Sequence, residues 1–536
     1  MLLIPGTSVR PAFARHPLVW AAAAIAAVLS IQCLVMPEVF AKAQLTAAGV
    51  LFFVLCVALG RALHTREGER SFTKIAVCVL VAALGSSVFA GIQLIGLDRG
   101  LPFVVPRSDN RLYGNVGQAN HFADLLWLGM IAATYLAAPR RLGLLAAAPI
   151  VLTLQVFSVF SGSRTAWLYA LVLVALGLAA WLRRTGAATR RLATGFLILG
   201  ACYGAVVVAV EASGVLDRYG VTSAERRIGN ANVDESTRQR LWFWRTGLEA
   251  AAQHPLLGVG VGRLAGFARE RAMTASDAPS RAADAHAHNV IIQLAAELGV
   301  PLAVLVAVAL LMWLVAAVRR PWRDPGNVAA LAMAGVILIH ANLEHPLAYL
   351  YFLGTFGLLV GHVPIREEAR VTALNGSQAL RLASFAMLAF AGYAYLQFDP
   401  VDKATRIVAS QVRLGQPPHN SNELDVRLAG VWRGSPYRDY AETLALMAAV
   451  PTPATAADLA DRCERNVQIG PTPYLLARCA TDLQVAGRPE RASNFADSLC
   501  RIYPGSDRVL AQSIAFVKTV SPAAGDIQGS CVKRVE

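Results

Sequence analysis

The feature that most constrains this chain is a series of long uncharged apolar runs, near residues 18–36, 44–60, 75–95, 119–138, 142–160, 165–182, 192–210, 290–318, 327–342, 346–363 and 380–397. Each approaches the ~20 residues that a helix needs to cross hydrocarbon, so about eleven membrane helices are expected and the fold class is all-α and polytopic. Several runs are rich in Ala and Gly, which suits close helix packing in lipid. With 55% hydrophobic and 16% charged residues over 536 positions, the chain has too little polar surface for a soluble globule. The first run is too long, and too poor in a small-residue cleavage site, to read as a removed signal peptide.

A net charge of +14 would suit nucleic acid, but the basic residues stand where they set topology. Arg61, Arg66, Arg70 and Lys74 follow the second run, Arg140 and Arg141 the fourth, and Arg183, Arg184, Arg190 and Arg191 the sixth. Arg319, Arg320 and Arg323 follow the eighth, and Arg366 and Arg370 the tenth. Every second loop is thus short and basic, which places it in the cytoplasm together with Arg10 and Arg15 of the amino terminus. An odd number of spans puts the carboxy terminus outside. The expected organisation is an N-terminal bundle over 1–212, a large periplasmic loop over 213–288, a second bundle over 289–397 and a polar tail over 398–536.

The tail alternates amphipathic helical patterns, such as YRDYAETLALMAAV and PERASNFADSLCRIY, with Pro/Gly breaks, and resembles helical-hairpin repeats of the tetratricopeptide kind. Cys33, Cys56, Cys78 and Cys202 fall in apolar runs and read as small buried side chains. Cys463, Cys479, Cys500 and Cys531 all fall in the tail, where disulfides are compatible with export and three pairings stay open.

The loops expected outside hold the unusual polar residues. Residues 107–126 crowd Asn115, Gln118, Asn120 and His121 at a helix mouth; singly the asparagines read as N-caps, but caps do not account for the whole cluster. Arg164 heads the sixth run against the topology rule, either as a snorkelling side chain or to hold an anion. In the large loop, residues 236–252 read as an amphipathic helix with Leu241, Trp244, Leu248 and Ala251 on one face, and Trp242 and Trp244 suit the headgroup level. Arg238, Arg240, Arg245 and Arg263 form a basic patch with almost no lysine, the choice for bidentate phosphate binding. The glycines at 258, 260 and 262 follow no strand, so a dinucleotide fingerprint is a weak reading. His286, His288 and Asn289 stand where the loop runs into apolar chain, and His345, Tyr349 and Tyr351 stand in the next outside loop, the tyrosines doubling as interfacial aromatics.

Arginines, histidine and amides on one outer face, with no nucleotide-binding loop, point to a lipid-delivered substrate activated before export. Arginines can bind a polyprenyl diphosphate and stabilise it as it departs, and a neutral imidazole can take a proton from an incoming hydroxyl. No paired-carboxylate metal motif stands out, so neither metal nor cofactor is expected, although Asp109, Asp234, Glu235 and Asp284 are carboxylates open to one.

These residues also resemble the bacterial O-antigen ligase superfamily, and more closely its PglL-type O-linked protein oligosaccharyltransferases. The superfamily pattern of His, then Asn, Ser or Gln, nine residues and Gly appears as His288, Asn289, residues 290–298 and Gly299, although Leu302 stands where the ligases carry Gly, Thr or Tyr. The pattern of Arg, three residues and Trp appears as Arg240 to Trp244, followed by PLLGVG from Pro255 to Gly260, and the arginine after a Ser/Gly pair is Arg164. The PglL-type GNxGQxNH element runs from Gly114 to His121. Its Glu-aromatic-Pro-Leu turn is Glu344, His345, Pro346, Leu347, a departure that leaves Tyr349 and Tyr351 as the nearby tyrosines.

The resemblance implies a GT-C-like inner-membrane enzyme facing the periplasm, which transfers an oligosaccharide en bloc from undecaprenyl diphosphate to Ser/Thr of exported proteins such as a pilin. It implies His288 as base, Arg164 and Arg240 as diphosphate ligands, and Gln118 as a positioning group, with His121, His286 and Asn289 in support. The alternatives are an O-antigen ligase acting on the lipid A core and a transporter of lipid-linked sugar; the polar groups lie at one face rather than mid-membrane, unlike a transporter.

Overall fold

The structure is a computed structural model that describes residues 16–527 apart from 69, 102, 108, 141, 184, 229–231, 284–285, 320–321 and 364–375. Arg10, Arg15, Arg141, Arg184, Arg320, Arg366, Arg370, Asp284 and Cys531 lie outside the described residues. Helices α1 (Pro17–Val35), α2 (Phe40–Glu67), α3 (Arg70–Leu94), α4 (Ala119–Ala137), α5 (Gly143–Phe160), α6 (Thr165–Leu182) and α7 (Ala187–Ala212) follow the first seven apolar runs. The large loop carries α8 (Asn232–Gln253) and α9 (Leu264–Thr274). Then come α10 (Val290–Leu298), α11 (Val300–Arg319), α12 (Pro325–Ala341), α13 (Leu350–His362) and α14 (Gly376–Arg413). The tail adds α15 (Asn422–Ala429), α16 (Arg438–Ala448), α17 (Ala456–Asn466), α18 (Pro473–Val485), α19 (Pro489–Ile502) and α20 (Asp507–Lys518).

Among the described residues there is no strand, and seven helices are long and apolar enough to cross a membrane, with α12 and α13 apolar but shorter. The chain is a polytopic helical membrane protein. Two expectations need correction. The run at 290–318 is not one segment, because Gly299 takes φ 96° and divides α10 from α11. No break separates the last apolar run from the tail either: α14 is a single 38-residue helix, about 57 Å long at 1.5 Å per residue.

The chain forms two compact units, one comprising residues 1–20, 52–234 and 309–382, the other residues 21–51, 235–308 and 383–536. In the first, α4 is the central helix, packed by α3, α5 and α12, while α6 packs on α7 and α12. Leu126, Trp127, Met130 and Ile131 of α4 are fully buried. Lipid gives apolar side chains little reason to leave it, so close backbone approach and interhelical hydrogen bonds carry much of this packing. Gly129 illustrates the first, since a Cβ there would lie 2.4 Å from that of Ala83 on α3. Trp127 Nε1 donating to Ser158 Oγ at 3.1 Å, and Gln155 Nε2 to the Leu199 carbonyl at 2.9 Å, illustrate the second.

In the second unit the tail has its own core, with Leu424, Leu446, Leu476, Phe495 and Leu499 fully buried. The amphipathic patterns YRDYAETLALMAAV and PERASNFADSLCRIY are helical, as α16 and α19, and α18 starts where Thr472 caps the Leu475 N–H and Pro473 takes the first turn. Cys463 and Cys479 form a disulfide between α17 and α18, and Cys500 is disulfide-bonded as well. The tail also packs on the large loop. The Gly266 N–H donates to the Gln468 carbonyl at 3.1 Å, and buried Arg269 of α9 reaches Ser498 Oγ of α19 at 3.1 Å. This contact decides which face of α8 turns inward: Trp242 and Phe243 pack with Ala272, Ala282 and Ile502. Trp242, expected at the headgroup level, is buried in this cluster because the elements that cover α8 come from distant parts of the chain, while Leu241 and Leu248 of the apolar face are exposed.

Candidate functional site

The 107–121 loop is set by Gln93 at the end of α3. Its amide donates to the Val105 carbonyl at 2.8 Å and the Gly114 carbonyl at 2.7 Å, and its oxygen accepts from the Tyr113 and Gly114 N–H groups. Gly114 is required there, since it has φ 52° and a Cβ would meet Ser86 Oγ at 2.4 Å. Asn115 is a backbone organiser: it donates to the Phe103 carbonyl at 2.7 Å and accepts from the Val105 N–H at 3.0 Å. With the loop fixed, α4 begins, and the polar side chains around its first two turns meet the 340–351 segment.

Gln118 Nε2 donates to Glu344 at 3.3 Å and Asn120 Nδ2 to the other Glu344 oxygen at 3.5 Å. His345 Nδ1 lies 3.5 Å from the same carboxylate, which is 8% exposed. His121 Nδ1 meets Tyr351 OH at 3.3 Å, and its ring stands edge-on to Tyr349 at 4.5 Å. One turn further along α4, Asp124 pairs with His340 at 3.0 Å, both fully buried. Gln118, Asn120, His121, His345, Tyr349 and Tyr351 are therefore brought together. Asp124, Glu344 and Gln93 belong with them though sequence reasoning gave them no role; an aspartate inside an apolar run was the available signal. Glu344 and His345 offer an oxygen and a nitrogen of the kinds that divalent ions accept.

Arg164 is half-buried at the N-terminus of α6 in the same unit. Its loop is held next to the 107–121 loop by the Leu112 N–H, which donates to the Phe160 carbonyl at 3.1 Å. A cation at a helix N-terminus adds to the positive end of the helix dipole instead of offsetting it, and both favour an anion.

The remaining candidates lie in the second unit. His288 is half-buried with φ 54°, a left-handed conformation uncommon for a residue with a Cβ, and its ring stacks on Phe243 at 5.3 Å. Asn289 caps α10, its oxygen accepting from the Ile291 and Ile292 N–H groups at 3.1 Å each. Gly299 ends the helix, and a Cβ on it would lie 2.1 Å from the Leu256 carbonyl oxygen. The His-Asn-nine-Gly spacing thus reads physically as imidazole, cap, one nine-residue helix and a glycine break. The PLLGVG segment docks on that break: the Val259 N–H donates to the Ala296 carbonyl at 2.8 Å, and Val300 N–H to the Pro255 carbonyl at 2.8 Å. Buried Gln32 fastens both sides, donating to the Leu257 carbonyl at 2.6 Å and the Glu297 carbonyl at 2.7 Å.

Arg240 is half-buried on α8, one turn before Phe243, and Arg238 is exposed. Arg245 pairs with Asp277 at 3.5 Å and Arg263 with Glu38 at 2.9 Å, so two members of the basic patch have carboxylate partners within the unit. His286 is half-buried two residues before His288.

Comparison with known proteins assigns these segments. Residues 148–307 match the O-antigen ligase family, and residues 112–137, which include the second half of the glycine-amide loop, match the protein glycosylation ligase family. Residues 328–515 match the C-terminal region of virulence factor membrane-bound polymerases. The chain is 25% identical over 478 residues, 87% of its length and 79% of the relative's, to a general O-oligosaccharyltransferase of Acinetobacter baylyi.

Proposed function

We propose that this chain, a glycosyl-transferring membrane enzyme with O-antigen ligase and protein glycosylation ligase domains, moves a preassembled oligosaccharide from a lipid diphosphate to Ser/Thr hydroxyls of exported proteins. The donor is undecaprenyl diphosphate. The reaction takes place on the periplasmic side of the inner membrane, and the disulfides of the tail support an oxidising compartment.

His288 accepts the proton of the acceptor hydroxyl as its oxygen forms a bond to the anomeric carbon. The bond from that carbon to the diphosphate breaks in the same displacement, and configuration inverts. Charge accumulates on the departing diphosphate, where Arg164 and Arg240 hold it; a guanidinium matches phosphate geometry bidentately. Gln118, Asn120 and Glu344 position one of the substrates. No metal enters these steps.

The observation that carries the reading is the left-handed backbone of His288, stacked on Phe243 and fixed by the Asn289 cap. Residues held in rare conformations persist only where their surroundings over-determine them, and they cluster at active sites. Protein as acceptor is favoured over the lipid A core by the match at 112–137. The test is expression in a strain that makes a lipid-linked glycan but lacks its own ligase. Sugar on an exported protein, lost in His288→Ala, is the expected result; sugar on lipopolysaccharide would make the chain an O-antigen ligase. Transfer at the native rate by His288→Ala would remove the catalytic role of His288.

A further inference from the structure

Among the described residues only two that are not glycine have left-handed backbone, Arg281 at φ 55° and His288 at φ 54°. Each is a strained conformation that needs a neighbour to hold it. At Arg281 that neighbour is the tail, because the Arg281 N–H donates to the carbonyl of Ile502, the last residue of α19, at 2.6 Å.

The same residue reaches His288 by a second route. The Ile502 side chain is fully buried in a cluster with Trp242, Phe243, Ala272 and Ala282. Trp242 Nε1 donates to the Ala282 carbonyl at 2.9 Å, tying that residue to α8. Phe243, beside Trp242, is the ring on which His288 stacks. Around this contact the tail is fastened by Arg269, which reaches Ser498 and whose guanidinium lies 4.9 Å from the Phe495 ring centroid, and by Arg501, which donates to the Met273 and Ala275 carbonyls.

We propose that Ile502 is a positioning residue: the C-terminal tail, through Ile502 and Phe243, fixes the orientation of the His288 ring, so the tail is part of the transfer machinery. This rests on the role of His288 given above. The physical basis is that a ring on strained backbone is oriented by what it packs against, and Phe243, on which His288 stacks, belongs to the buried cluster that Ile502 completes. A misplacement of about 1 Å at a reacting group can cost ~100-fold in rate, so truncation of the Ile502 side chain to its Cβ is felt as chemistry.

The experiment uses the full-length enzyme and compares Ile502→Ala, Ile502→Val, Arg281→Pro, Arg281→Gly and His288→Ala for glycan transfer per folded molecule. Ile502→Ala is expected to lower kcat roughly tenfold or more with both KM values within about twofold, and Ile502→Val to restore most of it. Arg281→Pro, which cannot adopt positive φ and has no N–H, is expected to lose activity, and Arg281→Gly to keep it. If His288→Ala is inactive while Ile502→Ala and Arg281→Pro retain native kcat, the tail has no such role. The same conclusion follows if their losses vanish once the amount of folded enzyme is taken into account. If His288→Ala is itself fully active, it is the catalytic reading that fails.

Discussion

Asp124 and His340 meet at 3.0 Å between carboxylate and Nδ1, and neither side chain reaches solvent. Asp124 lies on α4 just after Gln118, Asn120 and His121; the carbonyl of His340 accepts from the Glu344 N–H at 2.8 Å. The pair therefore ties the helix that presents the amides to the turn that presents the carboxylate they bind. Asp124→Ala leaves a buried imidazole without its partner, at about 1–3 kcal/mol, and should reduce transfer as the turn loses its anchor. Asp124→Asn keeps the shape and a hydrogen-bonding oxygen and should lose less. Acceptor glycosylation per folded enzyme, read beside the melting temperature, checks both. Native activity and melting in Asp124→Ala would remove the pair from the site's support.

The two ends of α10 should respond differently to substitution. Asn289→Ala removes a cap worth ~1 kcal/mol, and Asn289→Asp, which keeps the accepting oxygen, should recover most of it. Gly299→Ala should be worse, because the added Cβ falls 2.1 Å from the Leu256 carbonyl and the backbone at φ 96° is one that L residues rarely adopt. The expected order of activity and of thermal stability is Asn289→Asp above Asn289→Ala above Gly299→Ala. A Gly299→Ala enzyme as stable as the native one would mean that the break at 299 can relax.

What the sequence made legible and what it hid divide along a physical line. Local signals worked: the apolar runs are helices, YRDYAETLALMAAV carries the helix Arg438–Ala448, and the amides at 115–121 gather at one helix mouth. What failed depended on partners far away in the chain. Trp242 suits the headgroup level by residue type alone, yet it packs in a buried cluster with Ala282 and Ile502. The long run at 290–318 looked continuous because hydropathy does not register that Gly299 must turn against Leu256. Gln32 and Gln93 stand as single polar residues in apolar helices, yet each uses its whole amide on backbone groups of segments distant in sequence or beyond the helix end. Arg263 pairs with Glu38, a partner far away in sequence that no local pattern announces.

Metal removal should leave the reaction running. In the proposed displacement the proton goes to an imidazole and the leaving charge to two guanidinium groups, so no step requires a Lewis acid. Exhaustive EDTA treatment is expected to leave the initial rate of transfer within about twofold. Glu344 and His345, 3.5 Å apart, are what make the outcome informative. A rate abolished by EDTA and restored by manganese or magnesium would assign a metal to that carboxylate and imidazole, and His288 would no longer act alone.

The stability of the tail should depend on pH through Asp439. Burial is the main cause that raises its carboxyl to about 6, against the opposing pull of Lys42 and Arg438, and its Oδ2 is buried without a hydrogen-bond partner. An unfolded aspartate titrates near 3.8, so between that value and about 6 the folded tail holds more proton than the unfolded one. Stability then falls as pH rises through this window and levels off above it. Asp439→Asn removes the ionisation and should flatten the slope. At pH 7 the substitution should stabilise the tail by on the order of 1–2 kcal/mol after allowance for partial exposure, a rise of about 2–5 °C in the unfolding transition. Thermal unfolding of the full-length protein at pH 4.5 and pH 7 reads both effects, and a native slope that survives in Asp439→Asn would assign the pH dependence to another group.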